Sequence, residues 1–238
     1  MTNKDDIPNE LQGNTVDYVT AGAKAFLSLV PFAGSLLAEI AGSIIPKQRI
    51  DRIADFAARL EKRLAHLERS DFQIAIADYE FTDLVEESLR QAARATTPER
   101  REYLANLLAQ SLSSETITYS ETKHLMRLLG ELNDVEIIWL RSYSNPEIGG
   151  DQEFRQLHKN VLEPKRVHLG SPPQDLEADA LQKSYTEHLV RLGLVNEEVQ
   201  KKKGGEPEFD RFSGKFKVAY RRTSSLGQIL LRQIGLTD

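Results

Sequence analysis

The C-terminal part of the chain, residues 175–235, reads DLEADALQKSYTEHLVRLGLVNEEVQKKKGGEPEFDRFSGKFKVAYRRTSSLGQILLRQIG. Residues 175–191 are typical of a helix, and Gly193 suits the left-handed position that ends many helices. A strand is predicted from Leu194, and the glycine-rich segment 201–214 separates it from a second strand at 215–223. Helix, strand, long basic turn, strand and final helix is the order of a winged helix, so we expect a winged-helix-like module with a β-hairpin.

This end of the chain is basic, although the chain as a whole is acidic. The formal net charge is −5, but residues 201–238 hold nine lysines and arginines against four acidic residues, which leaves −10 for residues 1–200. Such a concentration of positive charge is typical of an anion-binding surface. We predict that eight cations bind the phosphates of a nucleotide or oligonucleotide: Lys201, Lys202, Lys203, Arg211, Lys215, Lys217, Arg221 and Arg222.

Aromatic residues are interleaved with these cations. Phe209, Phe212, Phe216 and Tyr220 could stack on bases while the cations pair with phosphates. Strand alternation predicts Lys215, Lys217 and Arg221 on one face and Phe216, Val218 and Tyr220 on the other. The alternative is that the aromatic residues are core and the cations only keep the surface soluble. The helix at 175–191 is acidic, which argues against ordinary reading of a duplex major groove.

The most apolar stretch of the protein lies near the other end. Residues 19–45 contain only two charged residues, Lys24 and Glu39, and a continuous helix of this length would reach ~40 Å, enough for a ~30 Å hydrocarbon layer. Pro31 favours two shorter helices or a kinked helix instead. We therefore predict an apolar helical hairpin at 19–46 that contacts either a membrane or other copies of the chain.

Small residues recur every four positions in the second half of this hairpin. Gly34, Ala38 and Gly42 fall on one helix face, which permits close approach of another backbone. Together with Pro31 and Glu39, they are the predicted membrane or oligomer contact. The alternative is a soluble hairpin in which the small residues simply fit the core.

A heptad pattern follows the hairpin. The apolar residues are spaced alternately by three and four positions, as in a coiled-coil seam. The predicted oligomer seam consists of Ile50, Ile53, Ala57, Leu60, Leu64 and Leu67. Because the pattern covers under three heptads, packing within one chain is an equal alternative.

The middle of the chain is predicted to be a helical bundle. Thr97 before Pro98 is a helix start signal, and Asn133 followed by Glu136 is a capping arrangement that begins a new helix. The predicted segments are a polar leader (1–18), the apolar hairpin (19–46), the helical bundle with its heptad helix (47–144), a loop-rich connection (145–174) and the winged-helix-like module (175–238).

The sequence contains no motif that indicates catalysis. The absence of cysteine excludes disulfides and thiolate nucleophiles, and the five histidines lack the spacing of a metal site. Neither a phosphate-binding glycine loop nor a nucleophile elbow is present. We expect a protein that is not an enzyme and carries no cofactor or metal. The polar N-terminus lacks a secretory signal, so we expect a cytoplasmic protein that can associate with the inner membrane.

Several segments together resemble the Abi-alpha (abortive infection alpha) family of bacterial phage-defence proteins. They are REYLANLLAQSLSS (101–114), HLMRLLGELNDVEIIWLRSY (124–143), HLVRLGLV (188–195) and TSSLGQILLRQIG (223–235). The upstream segment LVPFAGSLLAEIAGSIIPKQRIDRIADFAARLEKRL (29–64) is similar to one found ahead of such regions in phage-defence and prophage genes. The resemblance consists of hydrophobic patterns and supplies no catalytic positions. It implies antiphage defence with growth arrest or cell death as the outcome.

Two functional hypotheses follow. The first is a homo-oligomeric defence effector that perturbs or forms a pore in the inner membrane after the basic module senses a nucleotide, an oligonucleotide or a protein. The second is a soluble winged-helix adaptor or regulator that binds nucleic acid or the product of a neighbouring defence gene.

Overall fold

The computed structural model describes residues 27–28, 30, 33–41, 45–64, 74–113, 116–145, 151–165, 167–168, 170–211 and 214–237. The prediction of a mainly helical chain with a small antiparallel sheet near the C-terminus is confirmed. The chain divides into two compact units. The first comprises Met1–Gly130 and Gln233–Gly235, and the second comprises Glu131–Arg232 and Leu236–Asp238.

The first unit is helical, and five of its helices have both ends within the described residues. They are α1 (Ala33–Ala41), α2 (Pro46–Leu64), α3 (Tyr79–Arg94), α4 (Pro98–Ser113) and α5 (Tyr119–Glu131). Helix α2 packs on α1, α3 and α4, and its side chains Ile53, Phe56, Ala57 and Leu60 are fully buried. The apolar spacing of α2 therefore makes it the central helix of this unit.

Charged side chains join α2 to α4 at the edge of this core. Asp55 accepts hydrogen bonds from Arg59 and Arg101, and Glu102 accepts hydrogen bonds from Arg59 and Arg63. The network links two helices that are also packed through apolar residues. The network therefore helps to fix the orientation of α2 relative to α4, while apolar side chains hold the two helices together.

The second unit carries the remaining helices and the strands. They are α6 (Asp134–Ser142), α7 (Gln152–Leu157), α8 (Lys159–Leu162), α9 (Pro173–Arg191), β1 (Val195–Val199), β2 (Phe209–Asp210), β3 (Lys215–Phe216), β4 (Val218–Thr223) and α10 (Ser225–Gln233). Helices α7 and α8 lie in the segment that the sequence predicts to be loop-rich. The boundary predicted at residue 144 falls inside this unit.

The predicted start of α6 is confirmed in atomic detail. The side chain of Asn133 accepts a hydrogen bond from the Glu136 backbone N–H at 2.9 Å, and the Glu136 carboxylate accepts one from the Asn133 backbone N–H at 2.8 Å. This reciprocal pair satisfies two backbone donors that a helix start would leave without partners. The other Glu136 oxygen lies 2.7 Å from His188 Nδ1, which ties α6 to α9.

Strands β1 and β4 form the antiparallel pair expected of the hairpin, in a register that begins with Val195 opposite Thr223. Gly193 ends α9 with a φ of +72°, as predicted from its position. The connection between the two strands is more ordered than a single turn, because it contains the separate antiparallel pair β2–β3 and a bridge between Lys201 and Pro207.

Candidate nucleic-acid interface

The backbones of three residues form a closed ring of hydrogen bonds at the base of the β1–β4 connection. Gln200 N–H donates to the Lys217 carbonyl, Lys217 N–H donates to the Glu208 carbonyl, and Glu208 N–H donates to the Gln200 carbonyl, each at 2.8 Å. Two loops leave this ring. We call residues 201–207 the lysine loop and residues 209–216 the aromatic hairpin.

The lysine loop is held by its own backbone. Lys202 N–H donates to the Glu206 carbonyl at 2.9 Å, and Gly205 N–H donates to the Lys202 carbonyl at 2.9 Å. Gly205 has a φ of +83°, a conformation that glycine adopts without strain. This closed turn presents Lys201, Lys202 and Lys203 to solvent, and none of the three forms an ion pair with a residue in the described part of the chain.

Four of the other predicted phosphate-binding cations already have acidic partners. The nitrogen–oxygen distances are Lys215–Glu187 2.5 Å, Lys217–Glu208 2.5 Å, Arg221–Glu197 2.7 Å and Arg222–Glu198 3.6 Å. The hydrogen bond from Lys215 lowers the pKa of the Glu187 carboxyl. The hydrogen bond to Glu208 raises the pKa of the Lys217 ammonium. The eight cations thus divide into four that have an acidic partner and four exposed cations for which the described part of the chain shows no ion pair. Arg211 belongs to the second group together with the three lysines of the lysine loop.

Two of these partners could have been found in the sequence. Antiparallel pairing places Glu197 opposite Arg221, and Glu198 lies opposite Tyr220, which is two residues from Arg222 along the same strand. Opposite charges that face each other across strands stabilise a sheet. The two acidic residues of NEEV (196–199) therefore complement the two arginines of YRRT (220–223). A count of basic residues alone does not reveal this complementarity.

The aromatic residues of the connection are largely exposed. Phe209, Phe216 and Tyr220 have exposed fractions of 50%, 54% and 54%, so the interpretation of these three as core is wrong. Phe212 lies outside the described residues. Phe209 and Phe216 are cross-strand neighbours whose ring centroids are 5.7 Å apart at an interplanar angle of 79°.

The predicted strand alternation is interrupted in β4. Tyr220 lies opposite Glu198 and Val218 lies opposite Val199, so Ala219 is an extra residue in the register. Adjacent residues of β1 point to opposite faces, and therefore Val218 and Tyr220 do so as well. The prediction that these two share a face is wrong because a bulge resets the alternation.

The predicted membrane or oligomer contact is described only in part. Pro31 and Gly42 lie outside the described residues. On α1, Ala33, Leu36 and Leu37 are buried, whereas Ala38 and Glu39 are exposed and Gly34 is half-buried. The Glu39 carboxylate lies 3.3 Å from Arg90 of α3. The apolar side of α1 is therefore used inside the first unit, and the side that carries Ala38 faces outward.

The described helices do not supply a bilayer span. None of them combines the length and the apolar character needed to cross a membrane. Helix α1 has nine residues, which at 1.5 Å per residue amount to ~13 Å, against ~30 Å of hydrocarbon.

The heptad residues are largely covered within the chain. Ile53, Ala57 and Leu60 are at most 1% exposed, and Ile50 and Leu64 are half-buried. Leu67 lies outside the described residues. Packing of α2 against α3 and α4 accounts for the burial of Ile53, Ala57 and Leu60. An oligomer seam stays a prediction for Ile50, Leu64 and Leu67.

Comparison of the chain with protein-family models, with curated proteins and with solved structures found no match. The functional assignment therefore depends on the geometry and charge of the residues described above.

Proposed function

We propose that this chain is a non-catalytic binding protein whose C-terminal module binds an anionic partner, a nucleic acid or a nucleotide, through the lysine loop. The observation that carries the proposal is the exposure of Lys201, Lys202 and Lys203 without acidic partners in the described part of the chain. This is the second of the two hypotheses drawn from the sequence.

The ion pairs around the loop decide which cations are the better phosphate ligands. Lys215, Arg221 and Arg222 must give up a carboxylate before they can bind a phosphate. An exposed pair contributes only about 0–1 kcal/mol, but its carboxylate also stays nearby and repels the ligand. Lysines that form no ion pair bind phosphate without first giving up a carboxylate, so we assign the main contacts to the lysine loop.

The arrangement of elements supports a wing-based mode of binding. Helix α9, strands β1 and β4 and helix α10 follow one another in the order of a winged helix. Asp175, Glu177 and Asp179 are acidic residues of α9, and phosphate repulsion disfavours insertion of such a helix into a duplex groove. We therefore propose that the wing, and not the helix, is the binding element.

The resemblance to Abi-alpha proteins extends the proposal to antiphage defence. In that setting the ligand of the lysine loop is a signal of infection, and a protein encoded beside this gene is a further candidate partner. The second candidate function is the oligomeric membrane effector. The exposure of Ala38 on α1 favours it, because this position can meet a sister chain or lipid headgroups.

A comparison of two charge-removal variants tests the binding proposal. K201A/K202A/K203A removes the exposed lysines, and R221A/R222A removes paired arginines as a matched control. Binding of labelled oligonucleotides is measured by fluorescence anisotropy across a salt series. We expect the lysine variant to lose at least 10-fold in affinity and to reduce the salt slope by about 2, at ~0.7 per phosphate contact on a single strand.

The control should change affinity less than 3-fold. The proposal is rejected if the folded wild-type chain binds no oligonucleotide or mononucleotide at low salt, or if the lysine variant binds as tightly as the wild type. Circular dichroism melting of each variant excludes loss of the fold as the cause.

A further inference from the structure

We infer that the ligand of the lysine loop is single-stranded nucleic acid, and that its bases stack on the exposed rings of Phe209 and Phe216. This inference depends on the proposed function and adds the class of ligand and the residues that select it.

The two phenyl rings are exposed at a position where the fold gains little from them. Each belongs to a strand of two residues, and about half of each side chain remains in contact with water. Burying apolar surface contributes roughly 25 cal/mol per Å². A partner that covers these two neighbouring, half-exposed phenyl groups therefore gains binding free energy. Their edge-to-face arrangement leaves ring surface open to solvent.

The hydrogen-bonded ring fixes the aromatic pair beside the lysine loop. Lys201 follows Gln200, Phe209 follows Glu208, and Phe216 precedes Lys217, so each is one residue from the ring. Successive Cα atoms are ~3.8 Å apart and opposite Cα atoms of paired strands are ~5.5 Å apart, which limits the Lys201–Phe separations to ~13 Å between Cα atoms. Both groups therefore fall within the footprint of a few nucleotides.

The combination of groups selects single strands over other anions. In a duplex the base faces are covered by neighbouring base pairs, whereas unstacked bases present faces that aromatic rings can cover. Phosphate alone, as in polyphosphate, can use the lysines but not the rings. Phenyl rings carry no hydrogen-bond groups that read base edges, so we expect little sequence preference.

The test measures binding of four probes to the full chain. They are a 12-nucleotide single-stranded oligonucleotide (oligo-dT or oligo-U), a duplex of the same length, inorganic polyphosphate, and polyglutamate as an acidic-peptide probe. The variants are F209L/F216L, which keeps apolar bulk but removes the aromatic faces, and F209Y/F216Y, which keeps them.

We expect the single strand to bind more tightly than the duplex. F209L/F216L should weaken single-strand binding roughly 10-fold or more, because stacking contributes ~1–3 kcal/mol per base, and should leave polyphosphate binding and the salt slope unchanged. F209Y/F216Y should restore wild-type affinity. A fluorescent adenine analogue in the oligonucleotide should be quenched on binding to the wild-type chain, a readout that requires no variant.

Other results overturn the inference in distinguishable ways. Equal single-strand affinity of F209L/F216L and the wild type, duplex binding as tight as single-strand binding, or an unquenched analogue would remove the stacking role while leaving the lysine-loop proposal intact. Binding of polyglutamate without binding of any nucleic acid would reject both and indicate an acidic protein partner.

Discussion

The carbonyl oxygen of Leu194 lies 2.3 Å from the point where a Cβ atom on Gly227 would be placed. Gly227 is inside α10, where alanine would ordinarily be preferred by about 0.5–1 kcal/mol. Thr223 Cγ2 also lies 2.6 Å from that point. Helix α10 therefore packs this closely against Leu194 and Thr223 only because residue 227 has no side chain.

The first prediction is that G227A destabilises the second unit. The clash with a backbone oxygen must move the helix or the strand, and overpacking of this kind costs typically 1–3 kcal/mol, which exceeds the gain in helix propensity. Urea denaturation followed by circular dichroism measures the change. G204A is the matched control, because a Cβ there meets nothing within 4 Å and should leave the midpoint almost unchanged. Equal midpoints for G227A and the wild type would show that the contact is not rigid.

The second prediction concerns Glu136, which is buried and serves two partners at once, the Asn133 backbone and His188. E136A leaves the Asn133 N–H without its acceptor and should lower the free energy of unfolding by about 1–3 kcal/mol. E136Q should cost less, because its amide oxygen can accept from the Asn133 backbone N–H and its NH2 group can still contact His188. Chemical denaturation of both variants at pH 7 provides the comparison. If E136Q is as damaging as E136A, the negative charge itself is required.

Local signals account for the parts of the fold that the sequence predicts well. The capping arrangement at Asn133 and Glu136, the glycine at 193 and the strand at β1 each depend on residues that are close in sequence. The bulge at Ala219 and the hydrogen-bonded ring of residues 200, 208 and 217 depend on how three distant segments meet. Sequence periodicity carries no information about such a meeting point, so the two-loop connection was not predictable.

The candidate site follows the same division. The basic and aromatic residues of 201–222 are evident from composition, but their separate roles depend on acidic neighbours such as Glu187, which lies in another element. Likewise, the heptad spacing of α2 correctly indicates a buried face, whereas the helices that cover it, α3 and α4, are not specified by the spacing.

The third prediction concerns acid sensitivity at Asp55. Partial burial alone would raise the pKa of this carboxyl, but hydrogen bonds and charges from Arg59 and Arg101 outweigh that effect and hold the pKa below its ordinary value. A lowered folded pKa contributes stability above the unfolded pKa of about 3.9, and this contribution is lost as the pH falls through the folded value. Urea midpoints between pH 7 and pH 2 should therefore fall more steeply for the wild type than for D55N. Parallel curves would mean that Asp55 is not coupled to folding.

The fourth prediction separates the effector hypothesis from the binding hypothesis at α1. Leu37 is 4% exposed, so a charge there would damage the core and could not report on contacts, whereas Ala38 is exposed. If α1 meets lipid or a sister chain, A38E should abolish growth inhibition and leakage of dye from anionic vesicles while the melting curve stays that of the wild type. Q48E, an exposed position of α2, is the matched control and should retain both activities. A38E places a second carboxylate beside Glu39, and burying that charge in an apolar or close-packed interface costs free energy. Full leakage and full growth inhibition by a folded A38E would therefore exclude this face of α1 as the contact.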